Sequence, residues 1–371
     1  MSWEAWAVQE RDTIAAAGRW RVLRAFDTSG AVTGHIAGRD VVSFASNDYL
    51  GLSAHPLVLS AAREALDRWG AGARSARLIV GTRPIHEQLE AALATWKQTE
   101  AALLFPTGYM ANLGAITAFA GPGIRVLSDA LNHASIIDAC GLSRAEVQVY
   151  PHRDLHAVEA LLRVPGRTMV VSETVFSMDG DVAPVDEMVK LCQRYGALLV
   201  LDEAHAVLGP ELTAVDGDIL LVGTLSKTLG SVGGFVAGPS CLVELIVNRA
   251  RSFIFTTALA PSSAAAALAA VELLQDETGE ELRCRLRVLI NRVRPGHPSP
   301  IIPVVLGAEE AALEAAQKLL DRGILIPAIR PPTVPAGTSR LRISLSAAHT
   351  DAQVEALLAA LRDTAGTRVE A

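Results

Sequence analysis

The chain has 371 residues, enough for one large core or for a large domain with a small one. Its 50% apolar and 20% charged content excludes a disordered polymer. A formal charge of −7 argues against general nucleic-acid binding, which needs a basic face, so an anionic ligand must be met by local Arg, Lys or backbone N–H groups.

The first stretch, "MSWEAWAVQERDTIAAAGRWRVLR", carries charge in every turn and lacks the apolar core of a secretory signal. The first forty residues read as a helix and a short extended piece, an arm (1–40). From Asn47 onward short apolar runs recur: 101–105, 125–129, 147–150, 168–173, 197–202, 218–224 and 233–238. Several lack polar alternation, as strands covered on both faces do. Helical segments such as "HEQLEAALATWKQ" and "VDEMVKLCQRYG" lie between many of them. This alternation predicts an α/β fold with an open, mostly parallel sheet. "SSAAAALAAVELL" (262–274) is too short and too small in side-chain volume for a membrane span and reads as a tightly packed helix closing a large domain (41–274). After about residue 275 a charged helix leads into two or three strands with helices on one side, a small α+β domain (275–371). The four cysteines are far apart and form no CxxC, which fits a reducing cytosol and a cytoplasmic protein without zinc or another metal.

Three strings invite chemistry. "ALLVLDEAHA" ends an apolar strand at Asp202, with His205 three residues on. Ligands gather at such strand ends, and a desolvated aspartate there needs a cation or a donor; the plainer role is a cap on the next helix. "DEAH" also occurs in helicase ATPases, but the phosphate loop they require is absent. "HRDLH" (152–156) lacks the glutamate of a zincin helix and the asparagine of a kinase loop, and reads as a helix start. "GTLSKTLGSVGG" (223–234) sets Lys227 among hydroxyls and glycines. Glycines let a backbone approach a ligand closely and hydroxyls hold phosphate oxygens. An amine, phosphate donors and a carboxylate for a pyridinium nitrogen are what pyridoxal 5'-phosphate (PLP) requires, with Lys227 as the amine and Asp202 as the carboxylate.

At this point the chain resembles the α-oxoamine synthases, fold-type I PLP-dependent transferases with an aspartate aminotransferase-like fold. The resemblance rests on "FASNDYLGLSAHP", "WGAGARSARLIVGT", "PTGYMANLGA", "SDALNHASIIDAC", "SETVFSMDGDVAP", "LDEAHA", "GTLSKTLGSVGG", "RSFIFTTALAP" and "AIRPPTVPAGTSRLRISLSAAHT", nine motifs in order over nearly the whole length. It implies Lys227 as the Schiff-base lysine, Asp202 facing the ring nitrogen, His205 near the phenolic oxygen and His133 stacked on the ring. It implies Gly108, Tyr109, Ser177 and Thr224 around the cofactor. Thr256 and Thr257 are implied to reach the phosphate from the neighbouring subunit of a homodimer with shared sites. Arg21, Asn47, Arg330 and Thr333 fall at substrate positions, with Arg19 and Arg24 close to the first; an arginine fork suits a carboxylate. Glu173 is expected to order the floor of the site without reacting. The last motif points to the branch that condenses L-alanine with a pimeloyl thioester, on coenzyme A or a carrier protein.

Two departures stand out. The segment between Asp202 and Lys227 is several residues shorter than usual and reads "AVLGPELTAVDGD" after the histidine, and "GAGARSAR" replaces a version richer in serine and glycine. They keep open a sibling condensation of glycine or serine with another acyl-CoA, and a catalytically degenerate PLP-binding protein. They leave the Lys–Asp–His set intact.

Overall fold

The computed structural model describes residues 1–210, 212 and 217–365. Residues 211 and 213–216, within the shortened segment, lie outside the described residues.

Strands β1 (Asp27–Thr28), β2 (Thr33–Ile36) and β3 (Arg39–Ser43) follow the N-terminal helix Trp3–Ala16. That helix is capped by Ser2 and buries none of its residues. The seven apolar runs become β4 (Ala101–Phe105), β5 (Arg125–Asp129), β6 (Glu146–Tyr150), β7 (Thr168–Glu173), β8 (Leu198–Asp202), β9 (Ile219–Thr224) and β10 (Gly234–Gly238). They form one sheet in the order β4-β10-β9-β8-β7-β5-β6. The run from β9 to β6 is parallel, and β10 is antiparallel to both of its neighbours.

Burial on both faces explains the unbroken apolar sequence of these strands. Val170, Leu199, Leu201, Ile219 and Leu221 join one core cluster, while Met169, Val171, Val200, Leu220 and Val222 join the other. The first face meets helices Pro84–Trp96 and Val185–Tyr195, and in the same core helices Pro56–Trp69 and Pro261–Leu274 pack closely against each other. In the last of these, Ala264, Ala267 and Ala270 are fully buried, so small side chains permit the close approach. The second face is covered by helices Gly108–Phe119 and Ser240–Arg249.

Toward the C-terminus, β11 (Ile301–Gly307), β13 (Ala328–Ile329) and β14 (Ser339–Ser344) make a small antiparallel sheet, and β12 (Ile324–Leu325) pairs in parallel with β3. The pairing Ile324↔Val42 ties the segment after the arm to the C-terminal strands. Leu341 and Ile343 of β14 enter the core, so the alternating Arg340 and Arg342 point the other way. Arg340 pairs with Asp179, and Arg342 Nε donates to the Ser177 carbonyl at 2.5 Å. Two buried arginines thus fasten the small sheet to the loop after β7. Among the described residues, no helix is long and apolar enough to cross a membrane.

The "HRDLH" string does begin a helix, Leu155–Leu162, with Asp154 accepting from the Ala157 N–H at 2.9 Å. His152 lies between two carboxylates, with Nδ1 2.9 Å from Asp129 and Nε2 2.8 Å from Asp181. Burial opposes its charge, but the hydrogen bonds and charges of Asp129 and Asp181 outweigh that and push its pKa up to about 9. A pKa raised above its unfolded value stabilises the fold below roughly pH 6.5, and the gain is lost as pH rises through the folded value. His152→Gln is therefore expected to lower unfolding free energy by about 2 kcal/mol near pH 6, shrinking to less than half of that above roughly pH 9.5, measured by urea denaturation. A deficit of the same size at both pH values would contradict the assignment.

Candidate active site

The C-terminal ends of β7, β8 and β9 open onto one edge of the sheet, where open α/β sheets bind ligands. Glu173 and Asp202 are register partners at the last positions of β7 and β8. By strand alternation both point to the face covered by helix Gly108–Phe119. Three residues after β9 comes Lys227. With His133, His205, Asn112 and Thr224 they line a cleft of about 190 Å³. The sequence-predicted Lys–Asp–His set, separated by up to 94 positions from His133 to Lys227, is brought together in space.

Lys227 is not a solvated surface lysine. Burial is the largest influence and lowers its pKa; Asp202 and Glu173 oppose this without restoring the ordinary value. Glu173 is 2% exposed, and burial first, then the Asp202 charge, pushes its carboxyl well above the usual range. Burial thus works against charge on both groups, lowering the amine and raising the acid. Asp202 is held at both oxygens, Oδ1 by the Ala204 N–H at 2.9 Å and Oδ2 by Asn112 Nδ2 at 2.7 Å.

His205 is buried, and burial, followed by the charge of Lys227, holds its pKa well below the usual value. Its Nδ1 lies 2.6 Å from the Tyr49 hydroxyl, which leaves Nε2 for a partner in the cleft. Burial keeps Tyr49 itself protonated by pushing its pKa to about 12. His133 caps helix Ala134–Ser143, its Nδ1 accepting from the Ser135 N–H at 3.2 Å. Desolvation lowers its pKa against the pull of Asp202.

The opposite wall can take an anion. Thr107 caps helix Gly108–Phe119 through the Met110 N–H, and the remaining first-turn N–H groups have no intrahelical acceptor. Thr224 and Ser226 hydroxyls lie 2.7 Å apart beside that helix start. Gly108 suits this close approach, since a Cβ would lie 3.2 Å from the Thr224 side chain. An amine, a carboxylate, two imidazoles and a phosphate cradle fit PLP, and the fit rests on the donor set itself.

Other predicted residues lie elsewhere. Tyr109 lines the cleft but is 41% exposed and donates its hydroxyl to Asp138. Ser177 is buried behind Glu173, its N–H donating to Glu173 Oε2 at 3.2 Å, and does not line the cleft. Thr256 and Thr257 also do not line it; Thr257 bridges to Ala76. Arg21, Arg330 and Thr333 converge on a separate, open cavity of about 560 Å³ between the arm and the small sheet. Arg19 shares that cavity but is committed to Glu309 at 2.7 Å, which favours Arg21 as the free cation of the pair. Asn47 is apart from both arginines, accepting from Tyr49 at 3.1 Å and Arg342 at 3.3 Å. Glu203, the second acid of the helicase-like string, is paired with Lys97 at 2.7 Å and is not in the Lys227 cleft.

Three residues escaped the reading of the sequence as site components. Asn112, Tyr49 and Arg342 were visible only as letters inside motifs. The usable signal was polarity out of place: Asn112 is the one amide in "GYMANLGAITAF", a helix apolar around its circumference.

The sequence matches the aminotransferase class I and II family over residues 39–361, and the chain belongs to that family. It is 48% identical to the 8-amino-7-oxononanoate synthase of Anaeromyxobacter dehalogenans, over 96% of this chain and 94% of that one. Solved structures agree in fold: a serine palmitoyltransferase of Sphingomonas wittichii has TM-score 0.90 at 34% identity, covering 98% of both chains. A structure of SPT with PLP as its internal aldimine has TM-score 0.88 at 35% identity, covering 96% of this chain and 97% of that one.

The turn that carries Lys227 is held by Gly230. Its N–H donates to the Lys227 carbonyl at 3.0 Å, and at φ +60° a Cβ would lie 2.3 Å from the Ser53 backbone nitrogen. Gly230→Ala combines left-handed strain with a backbone clash and is expected to cost about 2–4 kcal/mol of unfolding free energy. An unchanged urea midpoint would show that this turn is not what fixes Lys227.

Proposed function

We propose that the chain catalyses the decarboxylative condensation of L-alanine with a pimeloyl thioester, on coenzyme A or a carrier protein, to 8-amino-7-oxononanoate, the step in biotin biosynthesis for which its 48% identical relative is named. One observation carries the reading: a desolvated lysine amine shares a single cleft with a strand-end carboxylate, two imidazoles and a helix N-terminus. PLP, when bound there, supplies an aldehyde for the amine and a cationic ring that takes up the electron pair left by bond breaking at Cα.

Asp202 supplies the negative charge that keeps a proton on the ring nitrogen. His205, held by Tyr49, would stand beside the phenolic oxygen. Helix N–H groups at Gly108 and Tyr109, with the Thr224 and Ser226 hydroxyls, hold the phosphate. Ser177 supports the floor through Glu173. Lys227 Nζ would take the Cα proton of alanine, and burial, which lowers its pKa, favours the uncharged amine that this role needs. His133 flanks the reacting carbon and holds the amino-acid carboxylate. Arg21 and Arg330, with Thr333, receive the acyl donor and its terminal carboxylate, while Asn47, apart from them, meets the substrate from the Tyr49 side. Thr256 and Thr257 serve the phosphate of a partner copy in a homodimer, which accounts for their position outside this chain's own cleft.

The sibling reactions are weighed by identity: 48% to an 8-amino-7-oxononanoate synthase against 34% to a serine palmitoyltransferase. The PLP-loaded protein is expected to form 8-amino-7-oxononanoate, CO₂ and free thiol from L-alanine and pimeloyl-CoA or the carrier-bound donor. Lys227→Ala should lower the rate by roughly 10²–10⁴-fold. Equal or faster turnover with glycine or serine, or a Lys227→Ala variant as active as the parent, would overturn the proposal.

A further inference from the structure

We infer that Asn112 is a positioning residue that, through Ser135, decides which nitrogen of His133 carries the hydrogen in the cleft. Asn112 Nδ2 lies 2.7 Å from Asp202 Oδ2 and 2.9 Å from Ser135 Oγ, and the Ser135 hydroxyl lies 2.8 Å from His133 Nδ1. All three partners of the amide and hydroxyl are buried or line the cleft.

The direction of every bond in this chain follows from one end. A carboxylate oxygen only accepts, so the Asn112 group facing Asp202 must be the NH₂ and not the carbonyl. The carboxamide then spends its second hydrogen on Ser135 Oγ. Ser135 Oγ accepts there and keeps its own hydrogen for His133 Nδ1, 2.8 Å away. The backbone N–H of Ser135 points to the same nitrogen at 3.2 Å. Two donors meet Nδ1, so it stays bare and the ring hydrogen sits on Nε2, the nitrogen left for the cleft. The arrangement has a cost that helps to identify it: Asn112 Oδ1 is buried without a partner. A side chain selected only for packing has no reason to leave an acceptor unpaired in order to aim both hydrogens at Asp202 and Ser135.

Asp202 and His133 are thereby linked through two intermediate side chains, and the polarity of the first sets the tautomer of the second. The inference rests on the proposed function only in naming what Nε2–H faces, the amino-acid carboxylate; the tautomer itself is a property of the chain without cofactor.

The test is nitrogen NMR of the protein labelled with ¹⁵N-histidine, free of PLP and loaded with it, with the His133 signals identified by their loss in His133→Asn. In the parent protein Nε2 is expected to be the protonated nitrogen and Nδ1 the bare one. In Asn112→Leu, which keeps the volume and removes both donors, the two shifts should move toward each other as tautomers mix, and activity should fall by roughly 10-fold or more. Ser135→Ala, which removes the hydroxyl alone, gives the same convergence and decides the matter if Asn112→Leu does not fold. Hydrogen on Nδ1 in the parent, or shifts unchanged in Ser135→Ala, would overturn the inference. Because the cofactor-free spectra need no turnover, a correct tautomer with no condensation activity would reject the proposed reaction and leave this relay standing.

Discussion

An amine held out of water beside two strand-end acids is the constraint on which this structure depends. Removing an ammonium from water costs several kcal/mol unless the group is paired or sheds its proton. Here burial lowers the Lys227 pKa and pushes that of Glu173 the other way, so it disfavours charge on both groups. Asp202 is bound at both oxygens by donors. The same low polarity that disfavours the ammonium also makes each hydrogen bond around it count for more. Stability and reactivity therefore draw on one feature, and the surrounding residues can be understood by how they maintain it.

Much of that maintenance comes from outside the large sheet. Arg342 of the small sheet reaches the Ser177 carbonyl and Asn47, Arg340 meets Asp179, and the loop between them carries Ser177 behind Glu173. Tyr49, beside Asn47 in sequence, holds His205. The N-terminal segment, the loop after β7 and the last strand thus converge on the back of the cleft. A change in β14 is felt at the imidazole and the buried acid without touching either.

Part of this was legible in the sequence because it follows from local physics. The seven large-sheet strands appear where unbroken apolar runs stand, with ends displaced by a residue at most, since burial on both faces leaves no room for polar alternation. Lys227 and Asp202 were recognisable because their motifs attach to strand ends, whereas His133 and the role of His205 came from the family resemblance. The reversal of β10 was not legible, since an apolar run carries no mark of direction. Neither was the parallel pairing of Ile324 with Val42, which joins residues 282 positions apart. Asn112, Tyr49 and Arg342 escaped for a related reason: their partners are set by tertiary contact, and a polar letter in a core segment announces a need for a partner without naming it. Ser177, Thr256 and Thr257 show the converse, motif residues that the fold of this chain leaves outside the cleft.

The central claim is that the Lys227 amine is the group which forms a reversible imine with PLP. Incubation with PLP, reduction with borohydride and peptide mass spectrometry tests it most directly. The account predicts a single phosphopyridoxyl adduct on the peptide containing "GTLSKTLGSVGG", placed by fragmentation at Lys227. Full saturation with PLP and an adduct on any other lysine, or on none, would contradict it.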